Sequence, residues 1–126
     1  RRKEARAPAK EHALFYSMLE EAEFVVLVTL QYDETFPDLL RDTILQSPPE
    51  WLWLLRVHPQ TLPILSLLES HLRKVGIHNF EMQRTSLCPI YDAMSYADHL
   101  VTGYSSTALE AESFELEISL ITFRKF

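Results

Sequence analysis

Phe24-Val25-Val26-Leu27-Val28-Thr29-Leu30 is apolar at all positions but one, rich in β-branched residues and too short for most helices. A run with no polar alternation is a strand covered on both faces, which is the mark of a parallel sheet sandwiched between helices. On its N-terminal side, residues 11–22 (EHALFYSMLEEA) predict a helix with Leu14, Phe15, Met18 and Leu19 on one face. On its C-terminal side, residues 34–46 predict a second helix with Phe36, Leu39, Leu40 and Thr43/Ile44 inward, stopped by Ser47-Pro48-Pro49.

Continuing outward, Trp51 to Val57 (WLWLLRV) is a second buried strand. A helix over 60–74 follows, with Pro63 in its first turn and Gly76 as its cap. Residues 79–83 (NFEMQ) make a shorter, half-polar strand nearer an edge, and a short helix over 89–96 leads into strand four, His99 to Thr102. Gly103-Tyr104-Ser105-Ser106 opens a helix over 107–115, and Ile118 to Phe123 makes strand five. Strands alternating with helical crossovers predict an α/β, doubly wound parallel sheet ordered 3-2-1-4-5, with helices on both faces. Trp53, Tyr91, Met94 and Tyr96 have spacings of core residues, and Asp98 ends the helix before strand four.

The chain has 126 residues, enough for one domain with one core. Residues 1–10 form a basic arm or linker with five of the twelve Lys/Arg against one acid, so 11–126 is an acidic body with seven bases against seventeen acids, a balance of −10, and the whole chain is −6. A body of this charge excludes a general nucleic-acid binder, which needs clustered cations to neutralise phosphates. The arm reads as a solvated terminal segment, with contact to a membrane surface or to nucleic acid as the other option. No apolar run approaches the roughly 20 residues of a membrane span, and no apolar stretch follows the N-terminal charges as in a signal peptide. With two glycines, Gly76 and Gly103, the chain holds neither a GxGxxG nor a P-loop cradle. The single Cys88 makes no intrachain disulfide and no cysteine zinc cluster, and His71, His78 and His99 lack metal-ligand spacing.

In an open sheet of this kind a ligand binds at the carboxyl ends of the strands, where the winding reverses between strands one and four. The residues offered there are Gln31 and Tyr32 after strand one, His58 after strand two, and Gly103, Tyr104, Ser105 and Ser106 after strand four, where Thr107 follows. A strand that turns through a glycine into hydroxyl residues and then into a helix makes an anion site. The first-turn N–H groups lack intrahelical acceptors, and the hydroxyls add donors for a phosphate oxygen. The same Thr107-x-x-Glu110 spacing is a capping box, in which these groups only satisfy the helix end. Glu110 reaches back over that turn and offers a bidentate acceptor to a ribose diol. His58 before Pro59 emerges at a strand end, where it either donates to phosphate or caps a loop. Arg56 alternates to the opposite face from Val57 and anchors the sheet. No GxSxG elbow surrounds Ser105 or Ser106, so neither reads as a nucleophile.

Leu55-Arg56-Val57-His58-Pro59 and Ala97-Asp98-His99-Leu100-Val101-Thr102-Gly103-Tyr104-Ser105-Ser106-Thr107-Ala108-Leu109-Glu110-Ala111 together resemble the C-terminal domain of GT-B-fold glycosyltransferases of the bacterial surface-polysaccharide type. These are the sialyl- and polysialyltransferases, the CDP-glycerol glycerophosphotransferases and, more distantly, UDP-N-acetylglucosamine 2-epimerase. The likeness covers about residues 24–123. It implies a Rossmann-like nucleotide-sugar-binding domain, 11–126, that forms half of a larger two-domain enzyme. On this likeness His58 contacts the nucleotide phosphate, Gly103, Ser105, Ser106 and Thr107 bind the same phosphate, Glu110 holds the ribose, and Gln31 and Tyr104 line the cleft. The implied substrate is a CMP-, CDP- or UDP-linked sugar, with no metal and no other cofactor. The general base and the glycan-acceptor site are implied in the other domain, so the piece alone is expected to be inactive.

Where the family continues Glu-Ala-x-x-x-Gly-x-Pro, this chain has Glu115 and Glu117 in the glycine and proline positions. A non-glycine residue in a left-handed turn costs roughly 1 kcal/mol, so the resemblance leaves open a degenerate copy. The alternatives are thus a UDP-sugar 2-epimerase-like domain and a non-catalytic interaction or regulatory domain. The implied location is the cytoplasm, with association to the inner face of the membrane as a further option.

Overall fold

A computed structural model describes residues 13–30, 36–102 and 117–120. Within them the chain is an α/β layer structure around a parallel sheet ordered β3-β2-β1-β4. The strands are β1 (Phe24–Thr29), β2 (Trp51–Arg56), β3 (Phe80–Glu81) and β4 (His99–Thr102). A short strand β5, Glu117–Leu120, lies parallel to β4 with Thr102 opposite Leu120. Residues 121–123 of the expected fifth strand, the expected helix over 107–115 and the basic arm lie outside the described residues.

Both sides of the sheet carry apolar clusters, which is why β1 and β2 read as unbroken hydrophobic runs. On one side Val26, Val28, Trp53 and Leu55 pack with Leu40 and Ile44 of the helix α2 (Asp38–Gln46), and with Leu65, Leu68 and Leu72 of α3 (Leu65–Lys74). On the other, Val25, Leu27, Leu52, Leu54 and Leu100 pack with Phe15 and Leu19 of α1 (Ala13–Glu21) and Ala93 and Met94 of α5 (Ile90–Tyr96). Helices before and after β1 therefore cover opposite faces, and the winding reverses between β1 and β4.

Several expectations need correction. Leu14 is 74% exposed and Leu39 68%, so the buried stripes are Phe15/Leu19 and Phe36/Leu40/Ile44, spaced four residues apart. Thr43 is also exposed, its hydroxyl donating to the Leu39 carbonyl at 2.7 Å. Tyr91 is 54% exposed rather than core. The helix expected over 60–74 is two elements, a 3-10 helix at Pro59–Ile64 followed by α3. Pro63 lacks the N–H that would bond the Pro59 carbonyl, so the α pattern starts only beyond it. Gly76 does cap α3. Its φ is +100°, its N–H donates to the Arg73 carbonyl, and the Ile77 N–H donates to the Leu72 carbonyl, the paired bonds of a Schellman motif.

The strand expected over 79–83 is only two residues long, because the chain turns into a short helix, α4 (Gln83–Leu87), that the sequence reading missed. Glu81 drives this turn: its carboxylate accepts from the Arg84 N–H at 2.7 Å, the Thr85 N–H at 2.9 Å and the Thr85 hydroxyl at 2.6 Å. Beyond Glu81 the edge of β2 is completed by a side chain. The Ser86 hydroxyl oxygen accepts from the Val57 N–H at 3.1 Å and its hydroxyl donates to the Leu55 carbonyl at 3.3 Å. Asp98 does not cap the preceding helix, whose end is Ala97. It joins β4 to β1 instead, its carboxylate accepting from the Val25 N–H at 2.9 Å and its own N–H donating to the Val25 carbonyl at 2.8 Å.

Candidate functional site

At the reversal point Thr29 and Thr102 stand opposite each other in register, Thr29 closing an otherwise apolar strand and Thr102 following Leu100 and Val101. Both are buried, and the Thr29 hydroxyl donates to the Thr102 hydroxyl oxygen. A buried hydroxyl without a partner is costly, so this pair ties the carboxyl ends of β1 and β4 together where a ligand cleft would open. On its other side β1 stays paired one residue further, the Leu30 N–H donating to the Arg56 carbonyl at 2.8 Å. The three strand ends from β2 through β1 to β4 thus form a fixed rim. The ends of β2 and β4 are two strand spacings apart, about 10 Å.

Of the residues expected at this rim, the structure places His58 one residue beyond Val57, half-buried at the carboxyl end of β2. Its Nδ1 accepts the Gln60 N–H at 3.1 Å, so His58 caps the 3-10 helix that begins at Pro59. Accepting there leaves the neutral ring with its proton on Nε2. Gln31, Tyr32, Gly103, Tyr104, Ser105, Ser106, Thr107 and Glu110 lie outside the described residues, as does the capping-box alternative. They follow in sequence the ends of β1 and β4 that the threonine pair holds together.

Arg56 anchors the sheet as its alternation suggested. Its guanidinium donates to the carbonyls of Thr85 at 2.8 Å and Cys88 at 2.5 Å, gripping the C-terminal end of α4 from the end of β2. Cys88 lies in this contact, half-buried and not in a disulfide. Burial pushes its thiol up from the ordinary range, against the opposing pull of the Arg56 charge. The thiol is therefore expected to react with an aromatic disulfide reagent at pH 8 more slowly than free cysteine. Equal rates would mean that the α4 contact does not shield it. The Arg84 guanidinium of α4 lies 5.5 Å from the Phe15 ring centre, while Tyr16 and Tyr96 join hydroxyls at 3.2 Å. Burial, together with that hydrogen bond, pushes the Tyr96 phenol up to about 12.

The sequence reading missed three threonines at this end of the sheet: Thr29, Thr102 and Thr61. The first two carried a signal, a hydroxyl ending an apolar run, that demands a partner once both strands are buried. Thr61 lies within the 3-10 helix after His58 and is 2% exposed, and its hydroxyl is the one buried side-chain polar atom among the described residues with no hydrogen-bond partner. His71 and His78 are exposed, and the His99 Nδ1 is 3.7 Å from the Glu117 carboxylate. Among the described residues no group of three or more His, Cys, Asp or Glu side chains could hold a metal ion, and no helix is long and apolar enough to cross a membrane.

Comparison with protein-family models, with curated proteins and with solved structures returns no significant match for this chain.

Proposed function

We propose that this chain is the donor-binding half of a metal-independent glycosyltransferase that builds a capsule, lipopolysaccharide or related surface glycan. Its substrate is a nucleotide-linked sugar carried by CMP, CDP or UDP. The observation that carries the reading is the reversal of winding between β1 and β4, followed in the sequence by Gly103-Tyr104-Ser105-Ser106-Thr107. Doubly wound sheets bind ligands at that point, and a glycine-to-hydroxyl turn entering a helix suits phosphate. A fifth strand running to residue 123 would complete the order 3-2-1-4-5.

The rim width supports a shared phosphate. Strand ends roughly 10 Å apart leave room for one phosphate group beside His58. In this reading Ser105, Ser106, Thr107 and the His58 Nε2 proton stabilise charge on the departing nucleotide, and Glu110 holds the ribose. The general base and the glycan-acceptor site belong to a second domain. The working place is the cytoplasm, with peripheral contact to the inner membrane face.

Adding CMP, CDP and UDP in turn while following backbone amides by NMR tests the proposal. Millimolar nucleotide is expected to shift the amides of 103–110 and His58, with cytidine nucleotides preferred for sialyl or glycerophosphate transfer. A uridine preference favours a UDP-sugar 2-epimerase-like domain. No shift with any of the three removes the donor site. A second reading, a non-catalytic interaction domain of the same fold, then takes its place. It is favoured by the His58 Nδ1 already committed to the Gln60 N–H and by Glu115 and Glu117 where the family has glycine and proline.

A further inference from the structure

The peptide unit between Arg56 and Val57 is clamped at both ends. Its carbonyl accepts from the Leu30 N–H at 2.8 Å on the β1 side, and its N–H donates to the Ser86 hydroxyl oxygen at 3.1 Å on the β3 side. Nearer the start of β2 that second side is served by backbone, the Trp53 N–H donating to the Asn79 carbonyl at 3.0 Å. Among the described residues, however, β3 pairs only with Trp53 and Leu54, so Leu55 and Val57 lie past its end. One side chain takes over there, the Ser86 hydroxyl also donating to the Leu55 carbonyl at 3.3 Å. Val57 is 4% exposed and Ser86 8%, so truncating Ser86 would leave a buried N–H without its acceptor, a cost the strand end relieves by moving. The next residue is His58, whose Nδ1 and carbonyl start the following turn by accepting the Gln60 and Thr61 N–H groups.

We propose that Ser86 is a positioning residue for His58: by holding one end of the Arg56–Val57 peptide it sets the direction in which the imidazole leaves β2. The helix α4 carries Ser86 and is itself gripped by the Arg56 guanidinium through the Thr85 and Cys88 carbonyls, so helix and strand end are tied at two points. The inference rests on the nucleotide-sugar reading for what His58 binds, and on these hydrogen bonds alone for how His58 is held. It gives α4 a part in the candidate site although none of its residues belongs to the motifs.

The experiment follows the His58 ring nitrogens by NMR at pH 8 without ligand, then CDP and UDP binding by calorimetry, in wild type, Ser86→Ala, Ser86→Cys and Leu19→Ala. Wild type is expected to show the proton on Nε2, with Nδ1 as acceptor. In Ser86→Ala the Gln60 bond loosens and the ring moves toward a mixture of tautomers, while nucleotide binds roughly tenfold more weakly. Ser86→Cys keeps a weaker donor and acceptor and is expected to fall between the two. Leu19→Ala destabilises the protein from the cluster on the opposite face and is expected to leave the His58 signals in place. Wild-type ring signals in Ser86→Ala overturn the assignment, as does an equal displacement in Leu19→Ala, which would reflect general loosening. A displaced ring with wild-type nucleotide affinity in Ser86→Ala overturns it too. No nucleotide binding by wild type fails the donor-site reading alone, and the ring signals then decide whether Ser86 positions His58.

Discussion

Leu27→Ala is expected to lower the unfolding free energy by about 3–4 kcal/mol, measured by urea denaturation. Leu27 is fully buried at the centre of β1, the middle strand of the sheet, with Leu54 and Leu100 beside it in register. Phe15, Leu19 and Met94 from α1 and α5 close over the same cluster. Strands on both sides and helices above leave little room to collapse into the space, so the cavity cost adds to the lost transfer energy. Leu39→Ala is the matched control. Leu39 is exposed on α2, and its loss is expected to change stability by no more than about 0.5 kcal/mol. Equal effects from the two substitutions would mean that β1 is not the central strand.

Arg56→Met is expected to cost about 2–3 kcal/mol, since hydrogen bonds from a charged donor to two carbonyls are lost while the apolar stem is kept. The guanidinium is what joins the end of β2 to the end of α4. Its loss should therefore speed amide exchange at Thr85, Ser86 and Cys88, and at Val57, whose N–H depends on Ser86. Arg56→Lys should recover part of the stability, because one ammonium cannot repeat the spread of donors that the fork provides. A variant that loses stability without faster exchange at these amides would show that Arg56 acts elsewhere.

These two positions differ in how far the amino-acid order announces them. The β1 and β2 runs are continuous because both faces are covered, and that same continuity reveals the parallel sheet and its order. The helix stripes were read one residue too wide: Leu14 and Leu39 are apolar and adjacent to true core positions, and only packing shows which of two neighbours turns inward. The helix α4 was invisible because its five residues hold no apolar period, and it begins through the Glu81 carboxylate, which accepts from N–H groups three and four residues along the chain, a local side-chain bond that hydrophobic periodicity does not register. At the candidate site the strand ends and His58 were legible from the order of elements. The Thr29–Thr102 contact joins residues 73 apart in sequence, and the orphan hydroxyl of Thr61 is a property of packing; neither is written in local spacing.

The Ser86 hydroxyl that completes β2 beyond Glu81 bears on how copies of this chain meet one another. A parallel sheet whose outer strand stops after two residues would leave a bare stretch of its neighbour as a template for a strand from another molecule. Here one side chain occupies both the donor and the acceptor of that stretch, and Arg56 holds the helix that carries it in place. Strand-to-strand polymerisation along this flank is thereby blocked without lengthening the sheet, a form of protection against aggregation that depends on one hydroxyl.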